Sequence, residues 1–225
     1  VEASRAVWSD PEDEVLDLTQ MIRRAYSIAS SSVAREYMEF YVTMVRSGAL
    51  TPRLFALETG DRIWLGPKVS GMFTLSDVPE DKNVVLIATG TGLAPYMSML
   101  RTHLSVDTWR RYAVLHGARH SWDLGYRAEL ATMQQLCPSF IYIPQISRPR
   151  NEHIHWNGYT GYVQDLWTGG SLDERWGNHP DPSDTHVFLC GNPLMCDDMM
   201  ALLEAEGFKE HTRRRPGDVH VERYW

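Results

Sequence analysis

From Val84 onward, apolar runs of strand length alternate with segments that favour helix. The apolar runs are VVLIAT (84–89), YAVLHGA (112–118), FIYIPQI (140–146) and THVFLCG (185–191). Helices are predicted from about Pro95 to Leu104, over LGYRAELATMQQL (124–136), and over PLMCDDMMALLEAEGF (193–208), with Gly207 as the stop. Strands that are apolar along their whole length are buried on both faces. This half of the chain is therefore predicted to be a parallel sheet covered by helices.

The first part of the chain has a different pattern. Short β-rich runs within residues 35–75, such as REYMEFYVTMV and GDRIWLGPKVSGMFTL, are broken by Gly, Pro and Asp. Such runs predict an antiparallel barrel or sandwich. Between them, SGALTPRLFALETGD predicts a short helix that ends at Gly60. We place the domain boundary near Glu80, in the loop SDVPEDKN.

The composition argues against several classes of protein. The net charge of -7 disfavours nucleic acid as the main partner, and no apolar run reaches the roughly 18 residues of a membrane span. The acidic start of the chain is unlike a signal peptide. The three cysteines form no disulfide or zinc pattern, and the pair His153 and His155 lacks a third metal ligand. We expect a cytoplasmic protein with no membrane partner and no metal.

Glycine and arginine residues follow the predicted strands. The turn GTGLAP (90–95) would let backbone N–H groups and a helix N-terminus approach a pyrophosphate, although a tight turn without a ligand is the alternative. Arg119 ends the second strand, and Ser147 and Arg148 end the third, where an NAD site would require an acidic residue. These residues suit the 2′-phosphate of NADP. Surface ion pairs are the alternative for the arginines.

Further motifs are weaker when taken alone. In RAYS, Arg24 could pair with a phosphate, Tyr26 offers a flat ring and Ser27 a hydroxyl, while SGMFTL (70–75) is a second glycine turn. The segment KEHTRRRPGDVHVERYW (209–225) is basic, and it is either a solvated face or a docking patch for an acidic partner.

In this order, RAYS, LTPRL, GD, SGMFTL, ATGTGLAP, LCGNP and VERYW resemble the ferredoxin–NADP reductase superfamily, most closely its bacterial ferredoxin/flavodoxin–NADP reductase group. The resemblance covers residues 22–225. It implies an FAD-binding antiparallel β-barrel domain over residues 1–79, followed by an NADP-binding α/β domain with a parallel sheet over residues 80–225. It further implies hydride transfer between NADP(H) and FAD, with ferredoxin or flavodoxin as the electron carrier. We expect a monomer.

The resemblance also implies roles for individual residues. It places Ser27 near flavin N5, Cys190 near nicotinamide C4 and Glu222 close to the flavin, as the catalytic residues. The residues implied to contact FAD are Arg24, Ala25, Tyr26, Ser27, Tyr41, Val42, Thr43, Ala49, Leu50, Thr51, Gly71, Met72, Phe73, Thr74, Thr91, Tyr224 and Trp225. Those implied to contact NADP are Gly90, Thr91, Gly92, Arg119, Ser147, Arg148, Gly191, Asn192 and Pro193.

The sequence departs from the family pattern in two places. Only 23 residues precede Arg24, so we expect an N-terminally shortened barrel. Tyr162 stands where bacterial relatives usually have another arginine, and Arg150 is the candidate to replace it. Two alternative functions stay open: an NAD(P)H-dependent reductase of the same superfamily that serves free flavin or an oxygenase, and a binding module or reductase fragment without flavin.

Overall fold

The computed structural model describes residues 21–67 and 71–223, which form two compact units. The first unit contains residues 21–26 and 42–67, and the second contains residues 27–41 and 71–223. Within these described ranges, no helix has both the length and the apolar character that crossing a membrane requires.

The second unit is built on a six-stranded sheet. Its strands are β1 Asn83–Thr89, β2 Tyr112–Ala118, β3 Phe140–Ile146, β4 Tyr159–Thr160, β5 Thr185–Gly191 and β6 Val219–Arg223. Their order is β4-β3-β2-β1-β5-β6, and every neighbouring pair is parallel. The predicted parallel sheet is therefore confirmed. The strand order reverses between β1 and β5, which is where open sheets of this kind bind ligands.

Helices cover both faces of this sheet. The helices of the described chain are α1 Thr51–Phe55 in the first unit, and α2 Ala94–His103, α3 Arg127–Leu136, α4 Val163–Thr168, α5 Asp173–Trp176 and α6 Pro193–Ala205 in the second. Helix α6 ends where Gly207 takes a φ of 93° and the Phe208 N–H donates to the Leu203 carbonyl at 3.0 Å. The predicted stop at Gly207 is confirmed.

Alternate residues of β1, β2, β3 and β5 enter two separate cores. In β1, Val84, Leu86 and Ala88 pack in a core that includes residues of α2 and α3. Their neighbours Val85 and Ile87 pack in the second core, with residues of α4 and α6. Residues on both faces of β1 are fully buried, which explains why its sequence is apolar throughout.

One arginine attaches the segment 27–41 to α2 and α3. The Arg101 guanidinium donates to both carboxylate oxygens of Glu129 at 2.7 Å, to the Ala29 carbonyl at 2.8 Å and to the Glu39 carboxylate at 3.0 Å. The Tyr126 hydroxyl also donates to Glu39 and is the main cause of the lowered pKa of that carboxyl. These charge-assisted bonds fix the segment that begins at Ser27 on the nucleotide-domain helices.

One expectation for the first part of the chain is wrong, and another is not shown by the described residues. The short helix ends at Phe55 rather than at Gly60, because Asp61 accepts the Glu58 N–H at 2.8 Å and closes a separate turn in which Gly60 has a φ of 103°. The antiparallel strands expected within residues 35–75 are not shown: among the described residues, Ile28 and Phe40 form an isolated antiparallel bridge. Alternation sets which side of a segment is apolar, but a strand also requires a paired neighbour.

A buried histidine makes the stability of the second unit depend on pH. His116 in β2 is fully buried, its Nδ1 lies 3.3 Å from the Tyr142 hydroxyl, and burial lowers its pKa from 6.5 to about 4. The unfolded chain therefore binds a proton below about pH 6.5 that the folded protein excludes. Stability from this group is complete above pH 6.5 and is lost as the pH falls toward 4.

We expect the free energy of unfolding to fall by up to about 1.4 kcal/mol per pH unit between pH 6.5 and 4 because of this single group. His116→Gln, which is neutral and can keep the bond to Tyr142, should show a shallower loss over the same range. Urea unfolding of both proteins at several pH values measures the difference. Parallel curves would show that His116 titrates normally in the folded state.

Candidate functional site

The glycine turn lies at the point where the strand order reverses. Residues Gly90–Leu93 form a single 3-10 turn between β1 and α2, and Gly90 has a φ of 54°. A Cβ on Gly92 would overlap the backbone carbonyl of Cys190, and Gly191, with a φ of 138°, lies against Thr89 in the same way. The ends of β1 and β5 are therefore in direct backbone contact.

Side chains complete this junction. The Thr89 hydroxyl accepts the Asn192 N–H at 2.8 Å, and the Asn192 side chain caps α6 by accepting the Leu194 N–H at 2.9 Å. The structure thus places Gly90 and Gly92 beside Gly191, Asn192 and the first residue of α6, Pro193, with Thr91 half-buried in the turn. Glycine turns at helix N-termini are places where backbone N–H groups can bind a phosphate.

Two of the three predicted catalytic residues are neighbours. Cys190 and Glu222 are paired in register between β5 and β6. The Cys190 side chain is fully buried, whereas Glu222 is partly exposed. Direct contact between the Cys190 sulfur and a nucleotide therefore requires neighbouring groups to move. The third, Ser27, lies at the start of the segment 27–41 that Arg101 holds.

The predicted phosphate-binding arginines lie side by side at the ends of β2 and β3. The Ser147 N–H donates to the Ala118 carbonyl and the Arg148 N–H to the Arg119 carbonyl, both at 2.9 Å. An open pocket of about 450 Å³ adjoins this loop, lined by Ser147, Arg148, Pro149, Arg150, Asn151, Thr160 and Gly161. Arg150, the sequence-based candidate for the missing arginine, therefore shares a pocket with Arg148.

The charge in and beside this pocket is uncompensated. Within the part of the chain that the structure describes, Arg119, Arg148 and Arg150 form no side-chain hydrogen bond or ion pair. Tyr162 is 71% exposed and lines a different pocket, with Gln164 and Asp198. A region with three unpaired guanidinium groups suits a phosphate dianion.

The residues expected to contact FAD are divided between the two units. In the second unit, Gly71 and Met72 are exposed, the Phe73 ring packs 5.3 Å from Phe188, and Thr74 caps the 3-10 turn Leu75–Asp77. Tyr41 also lies there; its hydroxyl donates to the Asp123 carbonyl at 3.3 Å, and burial raises its pKa.

The remaining residues of this set lie in the first unit or outside the described chain. Arg24 is exposed and, among the described residues, its side chain donates only to the neighbouring Arg23 carbonyl at 2.8 Å, which leaves its guanidinium accessible to an anion there. The Thr51 hydroxyl donates to the Val45 carbonyl at 2.8 Å. Ala25, Tyr26, Val42, Thr43, Ala49 and Leu50 belong to this unit as well. Tyr224 and Trp225 lie outside the described residues.

Sequence reasoning missed the contacts that support the arginine pocket. Glu152 accepts hydrogen bonds from Ser121, and the rings of Trp122 and His153 stack. The sequence carried one usable signal, which is Pro149 between Arg148 and Arg150: it begins the 3-10 turn Pro149–Asn151 and brings both arginines to the same loop. Nothing in the spacing of Ser121 and Glu152 indicates that they meet.

Comparisons with known proteins agree with this arrangement. Residues 86–200 match the oxidoreductase NAD-binding domain family. The flavodoxin/ferredoxin–NADP reductases of Buchnera aphidicola subsp. Baizongia pistaciae and of Escherichia coli K12 are 30% and 34% identical, and the aligned part covers 92% of this chain and 82% of each relative. This chain belongs to the ferredoxin/flavodoxin–NADP reductase family. The family resemblance predicted from the ordered motifs is confirmed.

A solved structure shows that the fold is shared. The ferredoxin NADP+ reductase from Neisseria gonorrhoeae, determined with bound FAD and NADP, superimposes with a TM-score of 0.79 at 24% identity. The match covers 89% of this chain and 79% of that one. This chain and that reductase therefore share the fold on which the glycine turn and the arginine pocket of this chain are placed.

The contact between the strand ends is tested by adding a methyl group. Gly92→Ala would push a Cβ into the Cys190 backbone, which has no flexible atom that can move aside. We expect a loss of about 1–3 kcal/mol in the free energy of unfolding, together with weaker nucleotide binding. Gly66→Ala is the matched control, because no atom lies within 4 Å of its added Cβ. Equal stability of the two variants would contradict the close approach.

Proposed function

We propose that this chain transfers hydride between NADP(H) and FAD and passes electrons to or from ferredoxin or flavodoxin. Membership of the ferredoxin/flavodoxin–NADP reductase family supports the reaction. The observation that carries the choice of coenzyme is the cluster of Arg119, Arg148 and Arg150, which form no ion pair within the described chain at the ends of β2 and β3. An acidic residue at that place would instead suit the ribose hydroxyl of NAD.

The roles proposed for the nucleotide domain follow from its geometry. Gly90, Thr91 and Gly92, with Gly191, Asn192 and Pro193, would hold the NADP pyrophosphate and nicotinamide at the junction of β1 and β5. Ser147 and the arginines would hold the 2′-phosphate. Cys190 and Glu222, paired in register, would flank the nicotinamide, and the burial of Cys190 would help to keep water from it.

The flavin assignments rest on the family resemblance. FAD, when bound, supplies an acceptor that takes a hydride and releases electrons singly. We propose that residues 1–79 contribute an antiparallel flavin barrel, that Arg24 binds the FAD pyrophosphate, and that Tyr26 and Ser27 face the isoalloxazine. The exposed turn Gly71–Thr74 would offer its N–H groups to the phosphates. Tyr41–Thr43, Ala49–Thr51, Tyr224 and Trp225 complete the proposed flavin contacts.

One visible spectrum tests the function. After incubation with FAD and desalting, we expect the chain to retain the flavin band and to lose it when NADPH is added without oxygen.

Arg148→Ala should raise the KM for NADPH about 10- to 100-fold, the equivalent of about 1.5–3 kcal/mol for a charge-assisted bond, and leave the KM for NADH nearly unchanged. Failure to retain flavin would favour the binding module or reductase fragment, and equal use of both coenzymes would overturn the NADP assignment.

The basic turn near the end of the chain is our proposed docking surface for the acidic carrier. Thr212 and Arg215 exchange backbone hydrogen bonds at 2.8 and 3.1 Å, so that Arg213 and Arg214 project from a tight two-residue loop. All three arginines of this turn are exposed, and Arg213 donates to the Met72 sulfur at 2.9 Å. The turn is thereby joined to the segment proposed to bind FAD phosphates.

Arg214→Glu tests this surface, since its side chain forms no bond within the described chain. We expect a several-fold slower electron transfer to flavodoxin at low ionic strength and a weaker dependence on salt. Reduction of a small uncharged quinone should be unchanged. If the rate with flavodoxin depends neither on salt nor on the charge reversal, the turn is not the docking surface. Faster reduction of free flavin than of any carrier protein would favour the alternative function, a reductase that serves free flavin.

A further inference from the structure

The two loops that carry the arginines stay together beyond the ends of their strands. The loop after β2 begins at Arg119, and the loop after β3 begins at Ser147. Their first contacts are the backbone hydrogen bonds to Ala118 and Arg119, which continue the β2–β3 pairing by two residues. Beyond that point the pocket loop turns away through the 3-10 turn Pro149–Asn151, and it returns to β3 at β4.

A carboxylate forms the next connection. Glu152 accepts the Ser121 N–H at 2.8 Å through one oxygen and the Ser121 hydroxyl at 2.6 Å through the other. Ser121 begins a 3-10 turn, and an N–H at that position has no partner inside the turn. The Trp122 ring stacks with His153 at 5.3 Å and with His120 at 4.4 Å. We call the Ser121–Glu152 pair the latch.

The latch also keeps the Glu152 carboxylate from pairing with the arginines of the pocket. Glu152 is two residues from Arg150 and four from Arg148, yet among the described residues it forms no ion pair with either. The Ser121 hydroxyl is the main reason that the pKa of Glu152 lies below its ordinary value, so the group stays ionised. An ionised carboxylate this near in sequence would otherwise be a natural partner for the pocket arginines.

We propose that the latch positions Arg148 and Arg150 for the 2′-phosphate, and that Ser121 and Glu152 are therefore specificity-determining residues for NADP over NAD. The proposal rests on the proposed function, because it assumes that this pocket receives the 2′-phosphate. The latch fixes the far end of the arginine loop and withholds the one carboxylate of that loop from the arginines. Neither residue touches the nucleotide itself.

A purely electrostatic role for Glu152 and a positioning role predict opposite changes in phosphate binding when Glu152 is removed. If Glu152 acted only as a negative charge near the pocket, removing it would strengthen the binding of a phosphate dianion. If the latch holds, Glu152→Ala should weaken binding although the variant is less negative. Ser121→Ala keeps the charge but removes the shorter bond, and it should weaken binding as well. Ser121→Thr keeps the hydroxyl and should bind the phosphate dianion as well as the original protein does.

Binding of 2′-phospho-AMP and of AMP, measured by calorimetry, separates these outcomes without flavin. We expect Glu152→Ala and Ser121→Ala each to weaken binding of 2′-phospho-AMP about 5- to 10-fold, as expected for one or two lost hydrogen bonds. Affinity for AMP should be unchanged in both, which also shows that the variants are folded. Glu152→Gln should lie between Glu152→Ala and the unchanged chain. In flavin-loaded protein, the KM for NADPH should rise while kcat stays constant.

Controls distinguish failure of the latch from failure of the proposed function. Glu80→Ala removes an exposed carboxylate that precedes the amino end of β1, whereas the pocket follows the carboxyl ends of β2 and β3, and it should change neither affinity. If Glu152→Ala binds 2′-phospho-AMP as well as or better than the unchanged chain, or if AMP binding falls equally, the latch is overturned. If the unchanged chain does not prefer 2′-phospho-AMP to AMP, the coenzyme assignment fails, and the role of the latch fails with it.

Discussion

The contact between the ends of β1 and β5 is the constraint on which the nucleotide domain depends. At Gly92 and Gly191 the two backbones approach so closely that neither position has room for a Cβ. Because these strands lie where the sheet order reverses, this contact brings together two turns that are a hundred residues apart in the chain. The helices that follow, α2 and α6, both start from it. Side-chain size is therefore restricted here by backbone geometry rather than by core packing.

Much of the nucleotide domain could be predicted from the sequence because its signals are local. Three strands, 112–118, 140–146 and 185–191, occupy the residues expected from their apolar runs. Strand β6 was missed because VHVER lies at the sheet edge and mixes polar with apolar residues, and the short helices α4 and α5 follow loop-like segments. The barrel strands expected before residue 75 depend on partners distant in sequence, which a local pattern does not contain.

The candidate site was predictable where strand ends define it. Arg119, Ser147 and Arg148 end adjacent strands, and parallel pairing brings them together. The position of Arg150 depended on the path of a loop after Pro149, and the latch depended on two loops meeting. Contacts between two loops leave no periodic pattern in the sequence from which they could be predicted. The strongest sequence signals thus located the site, whereas the interactions that hold its loops in place became visible only in the structure.

The attachment of residues 27–41 by Arg101 has a consequence for the order in which the protein is made. This segment is synthesised before its anchors, Arg101 and Glu129, and β1 is synthesised before β5. Residues 27–41 therefore have to remain unanchored until Glu129 has been translated. During that interval the segment is exposed to the aggregation that chaperones prevent in incompletely folded chains.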